Sequence, residues 1–147
     1  MTKKSDSASK GVKEKPKILF TGKRKRAVAR AVVRPGKGIV KFNSIPLENI
    51  KNETVKLLVE EPLAIAGDAW KKFDISLNVC GGGIIGQAQA AREAIARGLS
   101  EMLGDDLRKK FMEYDRNMLV DDPRRTEPHK PPRSSQGPRR YKQRSKR

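Results

Sequence analysis

The stretch CGGGIIGQAQAAREAIARG, Cys80 to Gly98, carries glycines at 81, 83 and 86 in the spacing G-x-G-x-x-G. In a dinucleotide-binding protein that spacing lets backbone N–H groups at a helix start close around a pyrophosphate. The surroundings satisfy part of the requirement: a strand-like run, Phe73 to Cys80, precedes the glycines and a helix-like run follows. They fail the rest. A dinucleotide fold needs a further strand about twenty residues on, carrying an acid for the ribose hydroxyls. Asp105 and Asp106 have that separation but lie between two helical patterns. A phosphate loop ending in Gly-Lys-Ser/Thr is also excluded, because the loop has no lysine. No cofactor is expected. Two uses of Gly81, Gly82 and Gly83 stay open: a tight strand-to-helix reversal that needs glycine, or contact of the same amides with an RNA phosphate, with Gln87 on the first helical turn joining in.

Other reactive side chains are sparse. His129, the only histidine, lies between Pro128 and Pro131 with no carboxylate patterned to orient it. Cys80 is the only cysteine, which excludes an internal disulfide and a cysteine-rich zinc site. It falls on the polar parity of its strand and is expected to be covered by the neighbouring glycines. The pairs Asp105-Asp106 and Asp121-Asp122 suit a helix cap and a turn before Pro123 better than a nuclease metal site. No catalytic residue, metal ligand or small-molecule substrate is expected.

Charge is more informative. The formal net charge is +17, and the isoelectric point is near 10.4. So much like charge repels itself, and a polyanionic partner is the simplest reason to carry it. A membrane surface fits less well, since no amphipathic helix sets a Lys/Arg face opposite Trp, Phe and Leu. The segment Pro123 to Arg147 holds ten Lys/Arg against the single acid Glu127, several prolines and no aliphatic residue. It has nothing to fold on and reads either as a solvated, disordered tail that adds solubility or, the favoured reading, as an extended arm that becomes ordered along nucleic acid. Its candidate RNA-binding residues are Arg124, Arg125, Lys130, Arg133, Arg139, Arg140, Lys142 and Arg144. A second basic cluster, Lys23, Arg24, Lys25 and Arg26, leads into a strand whose outer face adds Arg30 and Arg34.

The elements that must position these groups show in the periodicity. Ala27, Ala29, Ala31 and Val33 share one face of a strand. Pro35, Gly36 and Gly38 mark a turn, and Ile39 to Phe42 resume as a second strand, which predicts a hairpin. Ile45 and Leu47 fit a brief third strand. Asn52 is placed to cap a helix bearing Val55, Leu58 and Val59, with a break or kink expected at Pro62. Phe73, Ile75, Leu77 and Val79 alternate with polar residues, so one face of that strand is buried and one is wet. A long helix is predicted from about Ile84 to Leu103, its inner face running through Ile84, Ala88, Ala91, Ile95, Leu99 and Met102. Gly104 stops it, and Asp105 is expected to cap a short helix with Leu107, Phe111 and Tyr114 inward. The division follows: a disordered basic lead-in, 1–16, a globular RNA-binding domain, 17–118, and an extended basic tail, 119–147. The fold class is α+β, a two-layer sandwich of a small, mostly antiparallel sheet with helices on one face.

The stretches TGKRKRAVARAVVRPGKGIVKFN, GGGIIGQAQAAREAIARGL and DPRRTEPHKPPRSSQGPRRYKQRSKR, in that order, resemble the S-nine family of small-subunit ribosomal proteins, most closely its archaeal and eukaryotic cytosolic branch, archaeal favoured. The resemblance covers nearly the whole chain after the lead-in. It implies a fold like the second domain of ribosomal protein S-five, including a left-handed βαβ crossover. It also implies a cytoplasmic, ribosomal setting in the head of the small subunit, with ribosomal RNA and neighbouring head proteins as partners and no membrane. The tail would thread through RNA so that its tip, Ser145, Lys146 and Arg147, approaches the anticodon stem-loop of the peptidyl-site tRNA. A free RNA-binding protein or RNA chaperone would share the charge pattern, and a nucleotide-binding enzyme would rest on the glycine spacing alone.

Overall fold

The computed structural model describes residues 18–125. The expectations for the lead-in, His129, and the arm residues Lys130, Arg133, Arg139, Arg140, Lys142, Arg144, Ser145, Lys146 and Arg147 lie outside the described residues. Within them the elements run β1 (Ile18–Arg24), β2 (Ala27–Pro35), β3 (Val40–Phe42), β4 (Ile45–Pro46), α1 (Glu53–Ala66), β5 (Phe73–Cys80), α2 (Ile84–Leu103) and α3 (Asp105–Tyr114). The strands form one sheet in the order β1-β2-β5-β3-β4. Every pairing is antiparallel except β3 with β5. This is the two-layer α+β sandwich read from the sequence.

The period of two in β2 sends Ala27, Ala29, Ala31 and Val33 to the helix side, all 0% exposed, while Arg30 and Arg34 face solvent. Ile75, Leu77 and Val79 of β5 join them. Over this face lies α2, with α1 and α3 packed against it. Val59, Ile95, Leu99, Phe111 and Met118 complete one continuous core. Small side chains allow the close fit. A Cβ at Gly22 of β1 would collide with the carbonyl oxygen of Ala90 and lie 2.7 Å from the amide nitrogen of Ala94, while one at Gly98 would come within 3.1 Å of both Val33 and Phe20.

One strand was missed and several local expectations are corrected. β1 was not foreseen: Phe20, Gly22 and Arg24 turn toward the helices and Leu19, Thr21 and Lys23 toward solvent, but an aromatic, a glycine and a cation on the inner face write no apolar period into the sequence. β2 and β3 do not pair as a hairpin, because β5 is inserted between them. The Pro35–Gly38 turn spans that gap, held by the Gly36 amide donating to Lys72 O at 2.8 Å and by Asp74 Oδ1 accepting from the Lys37 and Ile39 amides. Helix α1 does not break at Pro62, which sits buried inside it. Its cap is as predicted, Asn52 Oδ1 accepting from the Val55 amide. Asp105 is the first residue of α3, with Gly104 in the cap position. Finally, Ile84 and Tyr114, expected inward, are 62% and 61% exposed, and Cys80 is exposed rather than covered.

Candidate nucleic-acid interface

The basic cluster is built into the β1–β2 hairpin. Lys23 and Arg24 end β1, and Lys25 and Arg26 are the two turn residues between the paired Arg24 and Ala27. The tight turn puts Lys25 at φ 53°, a conformation that costs a side-chain-bearing residue roughly 1–2 kcal/mol. Glycine would avoid that cost; lysine keeps a cation at the tip.

The glycine loop meets this tip. Gly81 and Gly82 adopt φ 77° and 64°, and a Cβ on Gly81 would lie 2.5 Å from Arg26 O. A Cβ on Gly82 would lie 3.0 Å from the Ala27 amide nitrogen. Both the left-handed backbone and the close approach therefore require glycine. Gly83 occupies the N-cap of α2 and offers no side chain to the first-turn amides. Gln87 donates from Nε2 to Gly81 O at 3.0 Å, so its side chain helps close the loop. Two stretches over fifty residues apart thus form one exposed corner, where the positive end of the α2 dipole adds to Lys25 and Arg26.

Arg24 is turned differently from its neighbours. Its Nε donates to Gln89 Oε1 at 3.0 Å and its Nη1 is ion-paired with Asp122. Asp122 also takes the Arg124 guanidinium, at 2.8 Å, although the Arg124 side chain remains 74% exposed. Arg125 is exposed. Asp121-Asp122, read as a turn, therefore also anchors the root of the arm.

The sequence did not single out the charges of α2. Arg97 reaches Thr21 O at 2.8 Å, Leu119 O at 3.1 Å and Asp121 Oδ1 at 2.9 Å, tying β1 to the chain leaving α3. Glu93, 4% exposed, accepts from the Lys23 amide at 2.9 Å. Arg97 Nη2 lies 2.7 Å from Glu93 Oε1, but that oxygen receives no hydrogen bond. Burial, followed by the Asp121 carboxyl, pushes the Glu93 pKa up to about 8. Asp121 is held below the usual carboxylate range, first by the hydrogen bond from Glu93 and then, against its burial, by Arg97. The proton thus sits on Glu93 and the charge on Asp121. Arg92 joins Glu61 and Asp115. Burial pushes Asp115 up, but the Asn117 amide and Arg92 outweigh it and leave it lowered. The available signal was position: Glu93 interrupts alanines at 90, 91, 94 and 96 that are all buried.

Fold and corner define a class, a basic two-layer α+β sandwich that presents charge on an open surface and anchors a basic arm through internal ion pairs. The particular family follows from comparison with known proteins. The family model described as "Ribosomal protein S9/S16" matches residues 22–147, and the chain belongs to that family. The small ribosomal subunit protein uS9 of Methanococcus maripaludis is 44% identical over 131 residues, covering 88% of this chain and 98% of that protein. Its counterpart from Aeropyrum pernix is 48% identical over 130 residues, 77% of this chain and 86% of that protein. Both relatives are archaeal, which fits the branch read from the sequence.

Proposed function

We propose that the chain binds ribosomal RNA through the corner formed by the β1–β2 tip and the glycine loop, and that its arm extends along RNA toward the peptidyl-site tRNA. As a member of the S9 family it is a structural component of the small ribosomal subunit, working in the cytoplasm as part of the ribosome. The observation that carries the RNA-binding reading is the seating of the exposed Gly81–Gly82 backbone, with its amides, against Arg26 and Ala27 next to Lys25 at the hairpin tip. Two motifs distant in sequence build one site of positive potential with no acid at its tip. Phosphate is the ligand such amides and cations share. Lys23, Arg30 and Arg34 extend the surface; Arg24 positions Asp122.

The head of the small subunit is the proposed location, with other head proteins as neighbours. There the arm's cations neutralise phosphates where strands crowd, and at its tip Lys146 and Arg147, with Ser145, favour tRNA in the peptidyl site without reading its sequence. Removing Ser145 to Arg147 should leave incorporation into subunits intact and weaken tRNA binding in the peptidyl site; unchanged tRNA affinity would refute that role. Changing Lys23, Lys25 and Arg26 to Gln, while sparing the ion-paired Arg24, should weaken association with small-subunit ribosomal RNA. Undiminished association would show that the corner is merely solvated.

A further inference from the structure

The sheet face turned away from the helices has its own composition. Register aligns its side chains in rows across the strands: Leu19, Val32, Ser76 and Lys41 in one, Thr21, Arg30 and Asn78 in the next, then Lys23, Val28 and Cys80. Lys23, Arg30, Arg34 and Lys41 are exposed cations on this face. The acid among its described residues, Asp74, has its Oδ1 committed to the Lys37 and Ile39 amides. Between Arg30 on β2 and Lys41 on β3 lie the Ser76 hydroxyl and the Asn78 amide of β5, while Thr21 adds a hydroxyl on the edge strand β1. A depression of about 480 Å³ lies along β3 and β5, with Val32 and Asn78 in its lining. The aromatic side chains of the strands, Phe20, Phe42 and Phe73, pack toward the core instead.

That composition selects among anionic partners. A single strand with splayed bases is held chiefly by stacking on aromatic rings, with arginine planes as the lesser alternative, and this face has no aromatic among the described residues. The deep, narrow groove of an RNA helix is closed to side chains, whereas its shallow groove presents 2′-hydroxyls between two phosphate backbones. From β1 to β3 the face spans three strand spacings, roughly 14 Å. Arg30 on β2 and Lys41 on β3, with Ser76 and Asn78 of β5 between them, match backbone, 2′-hydroxyl, backbone. We infer that the open sheet face is a second RNA contact, taking the shallow groove of a double-helical segment, with Ser76 and Asn78 on 2′-hydroxyls and Lys23, Arg30 and Lys41 on phosphates. This rests on the RNA-binding reading above and adds a surface and a form of RNA to it.

Cys80, the single thiol, is exposed on this face and reports on what covers it. The full chain is alkylated with a maleimide, free and bound to a small-subunit ribosomal RNA transcript. With transcript at ten times its dissociation constant about nine-tenths of the chain is bound, so alkylation should slow about tenfold. Bound to unstructured polyuridine the thiol should stay reactive. Asn78→Asp should weaken transcript binding about tenfold, whereas Lys109→Gln, the same change in charge on exposed α3, should change it little. A bound chain whose Cys80 reacts at the free rate overturns the inference and leaves RNA binding by the corner standing. Equal protection by polyuridine overturns the double-helical form. Protection that appears only when other small-subunit proteins are added assigns the face to a protein and overturns it too. A chain that binds no transcript instead removes the reading on which the inference rests.

Discussion

Glu93 shows what a single residue can impose. Unfolded, its carboxyl titrates near 4.5; folded, burial first and the Asp121 carboxyl second raise that to about 8. Between those values the folded chain holds a proton the unfolded chain has released, so this group's contribution to stability falls as pH rises through the window. The loss by pH 8 is on the order of a few kcal/mol. Glu93→Gln keeps an acceptor for the Lys23 amide and removes the titration. Its Tm relative to the parent chain should therefore climb between pH 5 and pH 8, and thermal unfolding that tracks the parent across the range would assign the proton elsewhere. Cations and glycines were legible residue by residue, because their types alone limit what they do. Which arginine faces inward was not: Arg24 looks like Lys23 or Arg26 until Asp122, nearly one hundred residues on, is brought beside it.

At the scale of elements, the fit of β1 under α2 depends on a missing side chain. A methyl at Gly22 would meet backbone atoms of Ala90 and Ala94, which cannot rotate away. Gly22→Ala should destabilise the domain by about 1–3 kcal/mol, the usual cost of overpacking. Gly83→Ala, where a Cβ would find nothing within 4 Å and φ is −100°, should leave stability nearly unchanged. Equal denaturation midpoints for the two variants would show that helix and strand separate without penalty. β2, β5 and α2 were readable because each buries one whole face and so writes its period into the sequence. β1 was not, since its inner face is made of Phe20, Gly22 and Arg24, three residue types that share no hydropathy and so show no apolar period. The supposed β2–β3 hairpin failed for another reason: the turn reverses the chain as its residues demand, but partner choice belongs to β5, which enters more than thirty residues later.

For the whole molecule, charge sets the behaviour. Eight Lys/Arg lie in residues 126–147. Each phosphate neutralised contributes about 0.7–0.9 to the slope of log affinity against log salt. If half of those side chains engage, removing 126–147 should reduce the slope by about 3, while the corner's own contacts persist. A slope unaffected by the truncation would mean that the arm adds charge without contacting RNA. Net charge, the basic clusters, the alternating strands and the long alanine-lined helix were determined by the sequence alone, because side-chain chemistry and short-range periodicity need no partner to be read. Only the tertiary structure decided that β5 separates β2 from β3, that the glycine loop seats against Arg26 and Ala27, and that Arg24 and Arg97 hold the root of the arm. Those outcomes rest on contacts between residues 22 to 98 positions apart, whose closure depends on the packing of the whole core.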